Sequence, residues 1–492
     1  MFAFQTCNNI INLFPSCNYS INYNSKKSIS SIIGHKVAFM ENDVLKGLRA
    51  VVLQRISPKN EERDHLKEIT ELLVKKVELI ACSMGLDDVS ASLVGSAARN
   101  TWISGTHDLD IFIMFPENAS REELEKNGLT IARKIAEESE FFEERYAEHP
   151  YINMRYRGFD VDIVPCFRVQ SAACIRSAVD RTPFHNEFVK RNILGLEPDV
   201  LLLKQFMKGA GVYGSELRTQ GFSGYLTELL VIKYGSFENV IRSACGWQPG
   251  TYIDLNAHGT TQHAEPLVVV DPTDPKRNVA AALSLDKFCM FIDPCREFLL
   301  SPTLDFFFPG SDTSVTDSEL LQRLRSRGTA FIAITFKTPD VVEDVLYPQL
   351  YKMELAVVAL LEEHEFKVLN KGSWSGQKTV ILLELMSATL PALRKHRGPP
   401  VWVHKHAETF KAKYVNAENV FAFYIENGTY VAEIPRKYSD ACSLLKERLT
   451  SCSMGKQVSS SVKSGFELLH NSEIYSIQDM NFKLFLMNWP RI

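Results

Sequence analysis

Nowhere in the 492 residues does an apolar run reach the roughly 18 needed to cross a bilayer, so a membrane protein is not expected. The ten cysteines contain no CxxC pair and no zinc-like spacing. That excludes a zinc module and a disulfide scaffold, and it predicts reduced thiols in a cytoplasmic protein. An excess of either charge is missing too: 55 Lys and Arg stand against 59 Asp and Glu, a net of −4. Any nucleic-acid surface must therefore be a local patch. Residues 1–39 hold no Asp, Glu or Arg and are rich in Ser and Asn. Organellar targeting segments are acid-poor but Arg-rich, so an unstructured extension or an over-called start is expected there, with no part in the chemistry.

The length allows two to four domains with substantial cores. The most informative stretch is Leu93–Phe115, LVGSAARNTWISGTHDLDIFIMF, which reads as a strand, a tight Gly-Ser turn with a short helix, and a second strand. On that second strand Asp108 and Asp110 are two residues apart, so both carboxylates point to one face. Their Cα atoms lie roughly 7 Å apart at ~3.3 Å per residue, close enough for the carboxylate tips to share a cation. Hard oxygen ligands suit magnesium bound to phosphates. A two-metal site usually needs a third carboxylate. Asp160 and Asp162 alternate on another apolar strand, GFDVDIVP, and point to the same face, so either could serve. Gly95 and Ser96 offer backbone N–H groups and a hydroxyl, as a triphosphate requires of a turn.

The order Gly95-Ser96, Asp108-Leu-Asp110 and a distant strand Asp resembles the polymerase-β nucleotidyltransferases. The longer wording, GSAARNTWISGTHDLDIF followed by FDVDIVPCF, SAVDRTPFHNEFV and GFSGYLTELL, resembles the archaeal, class I CCA-adding enzymes from about Met40 to near the C-terminus. The resemblance implies an α+β fold: a polymerase-β-like head with a mixed sheet and helices (40–190), a helical neck and body (191–310), and a body and β-α-β tail that binds RNA (311–492). It places the third carboxylate at Asp162, before Ile-Val-Pro. It implies two Mg²⁺ ions at Asp108, Asp110 and Asp162, with CTP and ATP as substrates. Nucleotide contacts fall on Gly95, Ser96, Arg99, Thr182, His185, Lys204 and Tyr213, and on Arg277, with Lys276 beside it as the other reading. The partner implied is tRNA, held by its acceptor and TΨC arms, and the assembly a homodimer. Two positions depart from the common pattern, Asp108 for a frequent Glu and Ala97 for a frequent Tyr; neither is expected to impair activity.

Apolar periodicity predicts two helices between Asn42 and Met84, broken near Ser57-Pro58. It also predicts a charged helix over Arg121–Glu144, a strand over Tyr151–Arg157 and a helical pair over Gly221–Trp247. Pro183 fits a first helical position after a Thr182 cap. From Arg394 to Tyr414 there are six basic residues, Arg394, Lys395, Arg397, Lys405, Lys411 and Lys413, against the single acid Glu408. With Trp402 among them, they suit an RNA backbone. Two other readings remain open on the residues alone. One keeps the chemistry on a different acceptor, as in a poly(A) polymerase or small-molecule nucleotidyltransferase; the other is an inactive RNA-binding relative.

Overall fold

The computed structural model describes residues 44–146, 149–172, 174–310, 317–487 and 489; the expected extension, 1–39, lies outside them. The fold is α+β and forms two compact units. One holds the described residues up to Ser215 with Gln220–Pro309, the other Glu216–Thr219 with the described residues from Gly310 onward.

In the first unit, α1 (44–56) and α2 (Asn60–Ser83) flank the predicted break at Ser57-Pro58. A five-stranded sheet follows, in the order β1-β2-β5-β4-β3. Its strands are β1 (Ser90–Val94), β2 (Asp108–Pro116), β3 (Phe141–Tyr146), β4 (Pro150–Tyr156) and β5 (Phe159–Arg168). Only the β2–β5 pair is parallel. Leu109, Ile111, Ile113 and Phe115 alternate along β2 onto one face. There they pack with Leu66, Ile69, Leu73 and Val77 of α2 and with Ile131 and Ile135 of α4 (Arg121–Ala136). Asp108 and Asp110 are thereby turned to the opposite face, where Val94, Phe112 and Cys166 form a small apolar cluster further along.

α4 is capped by Ser120 and Glu123 in a reciprocal box, and its acids and bases lie at the dipole-favoured ends. The helix ends at Ala136, not Glu144 as the pattern predicted. Phe141–Tyr146 instead pairs with β4 as the sheet's edge strand.

A short α3 (Gly95–Ala98) joins β1 to the loop before β2. The helical part comprises α5 (Thr182–Asn192), α6 (Glu197–Gly209), α7 (Gly224–Tyr234), α8 (Phe237–Ala244) and α9 (Leu285–Leu300). These share a core rich in Phe206, Phe222, Phe237, Phe288, Phe291 and Phe298. α5 begins at Thr182 with Arg181 as N-cap, so Thr182 is its first residue and not the expected cap. A small sheet, β6 (Thr251–Asp254), β7 (Leu267–Asp271) and β8 (Asp274–Asn278), completes the unit.

In the second unit, α10 (Asp317–Ser326), β9 (Ala330–Lys337), α11 (Glu343–Glu363), β10 (Val368–Ser375) and β11 (Lys378–Leu385) come first. β9 and β11 read as nearly unbroken apolar runs because helices cover both faces of their sheet. A second, three-stranded sheet, β12 (Leu393–Pro400), β14 (Thr429–Pro435) and β13 (Ala422–Glu426), carries α12 (His404–Tyr414) on one face. Among the described residues no helix is long and apolar enough to cross a membrane.

Candidate active site

Parallel pairing of β2 with β5 sets Asp108 beside Asp160 and Asp110 beside Asp162. All four carboxylates leave one face of the sheet. Asn153 of β4 bridges the two acids of β5 from the side, its Nδ2 donating to Asp160 Oδ1 at 2.7 Å and to Asp162 Oδ1 at 2.8 Å. Asp160 is exposed at the rim, whereas Asp162 is half-buried next to Asp110.

Burial pushes the Asp110 carboxyl up to about 6, and the charges of Asp162 and Asp108 add to the rise while Arg99 opposes it. Burial raises Asp108 and Asp162 as well, with Asp160 contributing at both. Crowded carboxylates of this kind want a cation between them.

Gly95 makes the crowding possible. A Cβ there would stand 1.9 Å from Asp110 Oδ2, and the residue's φ of +73° is left-handed. The all-oxygen donor set of these carboxylates fits magnesium. Among the described residues no three His, Cys, Asp or Glu side chains close around one point.

The opposing wall is helical. Lys204 and Lys208 lie one turn apart on α6. Buried Lys204 donates from Nζ to the Thr101 carbonyl at 2.7 Å, and burial lowers its ammonium to about 8 against the pull of Glu228. Lys208 and Asp108 face each other closely enough that each charge steadies the other. The Lys208 ammonium also sits 5.6 Å over the Tyr213 ring. Gly224 at the start of α7 lets the Tyr213 hydroxyl and Lys204 Nζ approach; a Cβ there would lie 3.1 and 3.7 Å from them.

Behind the turn, Arg99 is gripped by fully buried Glu228, Nε to Oε1 at 3.0 Å and Nη2 to Oε2 at 2.9 Å, while Nη1 donates to Asn186 at 3.1 Å. Thr101 Oγ1 donates to the same Glu228. Ser96 is half-buried on α3, with its carbonyl accepting from the N–H groups of Arg99 and Thr101.

His185 and Arg277 meet at one carboxylate. His185 Nε2 and Arg277 Nη1 each lie 2.8 Å from Asp271 Oδ2. Exposed Lys276 makes no such contact; it lines, with Arg181, Asp274 and Arg277, an open cleft of about 540 Å³. Thr182 opens α5 one turn before His185.

Contacts in the first unit thus link the carboxylates, Gly95, Arg99, Lys204 and Tyr213 into one cluster, and α5, which carries both Asn186 and His185, joins it to Asp271 and Arg277. Glu228, Asn186, Lys208, Tyr225 and Asp271 belong to it as well, although the sequence assigned none of them a role. For Glu228 a signal existed: it is an acid inside the otherwise apolar helix GYLTELLVI.

In the second unit the six basic residues divide. Lys395 and Arg397 point away from α12 and both bind Glu426 at 2.8 Å. Arg394 lies on the face toward α12, where it and Lys413 depress the half-buried His396, whose pKa burial lowers first. Lys405, Lys411 and Lys413 are exposed on α12.

A Gly-Ser turn facing strand carboxylates, opposed by helical lysines, is an arrangement suited to nucleotidyl transfer, and the nucleotidyltransferase domain model matches residues 74–185. The tRNA nucleotidyltransferase second-domain model matches 198–308, and the CCA-adding enzyme C-terminal domain model matches 327–471. The CCA-adding enzyme of Methanosarcina acetivorans is 59% identical over 92% of this chain and 100% of its own length. That of Methanosarcina barkeri is 59% identical over 90% of this chain and 98% of its own; that of Methanothermobacter thermautotrophicus is 42% identical over 85% and 92%. The chain belongs to the archaeal CCA-adding enzyme family. Among solved structures, E. coli MS115-1 CdnC with ATP covers 57% of this chain and 96% of that one, at 15% identity and a TM-score of 0.42.

Proposed function

We infer that this chain completes the 3′ end of tRNA, adding C, C and A from CTP and ATP without a nucleic-acid template and releasing pyrophosphate at each step. What carries the reading is the match to CCA-adding enzymes over 92% of the chain, in a protein that keeps Asp108, Asp110 and Asp162 on one face of one sheet.

Asp108 and Asp110 would hold two magnesium ions and Asp162 would complete the ligands of one; bound there, such ions neutralise the triphosphate and lower the pKa of the attacking 3′-hydroxyl. Ser96 Oγ and the N–H groups of the Gly95-Ser96 turn would take the triphosphate from one side. Lys204 and Tyr213 would take it from the other, Lys204 as a compact point charge. Arg99, fixed by Glu228, would lend its charge from behind the turn. Thr182, His185 and Arg277 would face the ribose and base. Catalysis by these side chains is positioning and charge neutralisation, the terms that dominate when the substrate brings its own leaving group.

The basic residues 394, 395, 397, 405, 411 and 413 are proposed to grip the acceptor and TΨC arms. A cytoplasmic homodimer is the setting proposed for the whole. A poly(A) polymerase is disfavoured by the match of residues 327–471 to a CCA-adding C-terminal domain.

The test is incubation of the protein with tRNA lacking its terminal CCA, magnesium and each nucleoside triphosphate in turn. Two additions from CTP and one more from ATP are expected, with loss of both on chelation and in Asp110→Ala. Repeated addition of A alone would overturn the reading in favour of poly(A) synthesis.

A further inference from the structure

We propose that Asp271, at the end of β7, is the positioning residue that sets His185 and Arg277 for the incoming nucleotide; this rests on the function proposed above. Its side chain is wholly buried, yet both oxygens are engaged by groups from three separate elements. Oδ2 accepts from His185 Nε2 of α5 and Arg277 Nη1 of β8, each at 2.8 Å. Oδ1 accepts from the Thr273 N–H at 2.9 Å, from Thr273 Oγ1 at 2.8 Å and from the Tyr225 hydroxyl of α7 at 3.3 Å.

Tyr225 also stacks on the His185 ring, with centroids 4.1 Å apart and planes 21° apart. A hydrogen bond in the ring plane and a stacked ring beneath it leave the imidazole one orientation. Because an ionised carboxylate only accepts, Nε2 must carry the proton. Nδ1 is then the nitrogen left for the nucleotide. Arg277 is likewise held by one nitrogen, and the rest of its planar fork is kept for the ligand.

The backbone under Asp271 is held too, its carbonyl lying 3.0 Å from His258 Nε2. Burial pushes the Asp271 carboxyl up, but the hydrogen bonds from His185 and Thr273 outweigh it and hold the group well below the usual carboxylate range. A permanent anion at this depth orients two cleft residues at once, so its removal should be felt by the nucleotide before it is felt by the chemistry.

Asp271→Asn keeps the shape but supplies one accepting oxygen where two are needed. With tRNA ending in CC as acceptor and ATP varied, the expected result is a KM raised about tenfold or more, the worth of a charge-assisted hydrogen bond, with kcat within about threefold. The same shift is expected for CTP on tRNA lacking CCA. Adding Asp271→Asn to Arg277→Gln should raise KM by less than the product of the two single effects, because part of the effect of Asp271 runs through Arg277 and the rest through His185.

Thr273→Val removes a single donor to Oδ1 at a half-exposed turn and should shift KM the same way by a few fold. It carries the test if the buried variant does not fold. A kcat that falls with the folded fraction at unchanged KM, or an unchanged KM in Thr273→Val, overturns the inference and leaves Asp271 a structural residue. Absence of CCA addition by the unmodified chain, run alongside, overturns instead the function on which it rests.

Discussion

A Cβ at position 95 would stand 1.9 Å from Asp110 Oδ2 on a backbone with φ of +73°. Gly95→Ala therefore forces either the backbone or the carboxylate to move. A misplacement of about 1 Å at a reacting centre costs roughly a hundredfold in rate, and that fall in kcat is expected in single-turnover addition of C. The backbone strain should cost about 1 to 3 kcal/mol of stability, so a variant that stays folded at the assay temperature but reacts slowly is the outcome sought. Normal kcat would mean that Asp110 has room the geometry denies it. The alternating acids and the Gly-Ser turn were legible in the sequence because period-2 spacing and turn chemistry are local, whereas Lys204 followed only from the family resemblance. Asp271 was not: its partners His185, Tyr225 and Arg277 lie 86, 46 and 6 residues away, and an Asp-Pro turn explains an Asp without them.

α7 shows what an element can hide. Leu226, Leu229, Leu230 and Val231 are buried, and so is Glu228, whose presence in an apolar helix is explained by Arg99 and Thr101, 129 and 127 residues earlier in the chain. Breaking a buried pair from one side leaves an uncompensated charge, so Glu228→Gln should cost about 3 kcal/mol, seen as a lower urea midpoint of the catalytic unit. Combining it with Arg99→Met should recover part of that loss; a further, additive loss would mean the two side chains are not coupled. The same distinction between local and distant causes explains the boundary of α4. Glu-rich residues 137–144 have helical composition, but pairing with β4 turns Phe141–Tyr146 into an edge strand. Pairing partners are a tertiary fact, and propensity yields to them. Where burial was two-sided, as in β9 and β11, the continuous apolar run was itself the signal.

At the scale of the whole molecule the net charge of −4 offers a polyanion nothing, so affinity for tRNA has to come from where cations are left unneutralised. The basic stretch from 394 to 413 looks uniform in sequence, but folding divides it. Glu426 takes up Lys395 and Arg397, whereas Lys405, Lys411 and Lys413 stand exposed on α12. Replacing those three by Ala should weaken tRNA binding. It should also flatten the slope of log Kd against log salt by about 0.7 to 0.9 for each phosphate that the protein no longer neutralises. Lys395→Ala with Arg397→Ala should change that slope less, since Glu426 already occupies both side chains. Filter-binding titrations between low and physiological salt separate the cases. An unchanged slope in the α12 variant would place the tRNA elsewhere on the molecule. A larger change in the Lys395 and Arg397 pair would mean that tRNA displaces Glu426 from both, making that carboxylate a competitor for the phosphate backbone.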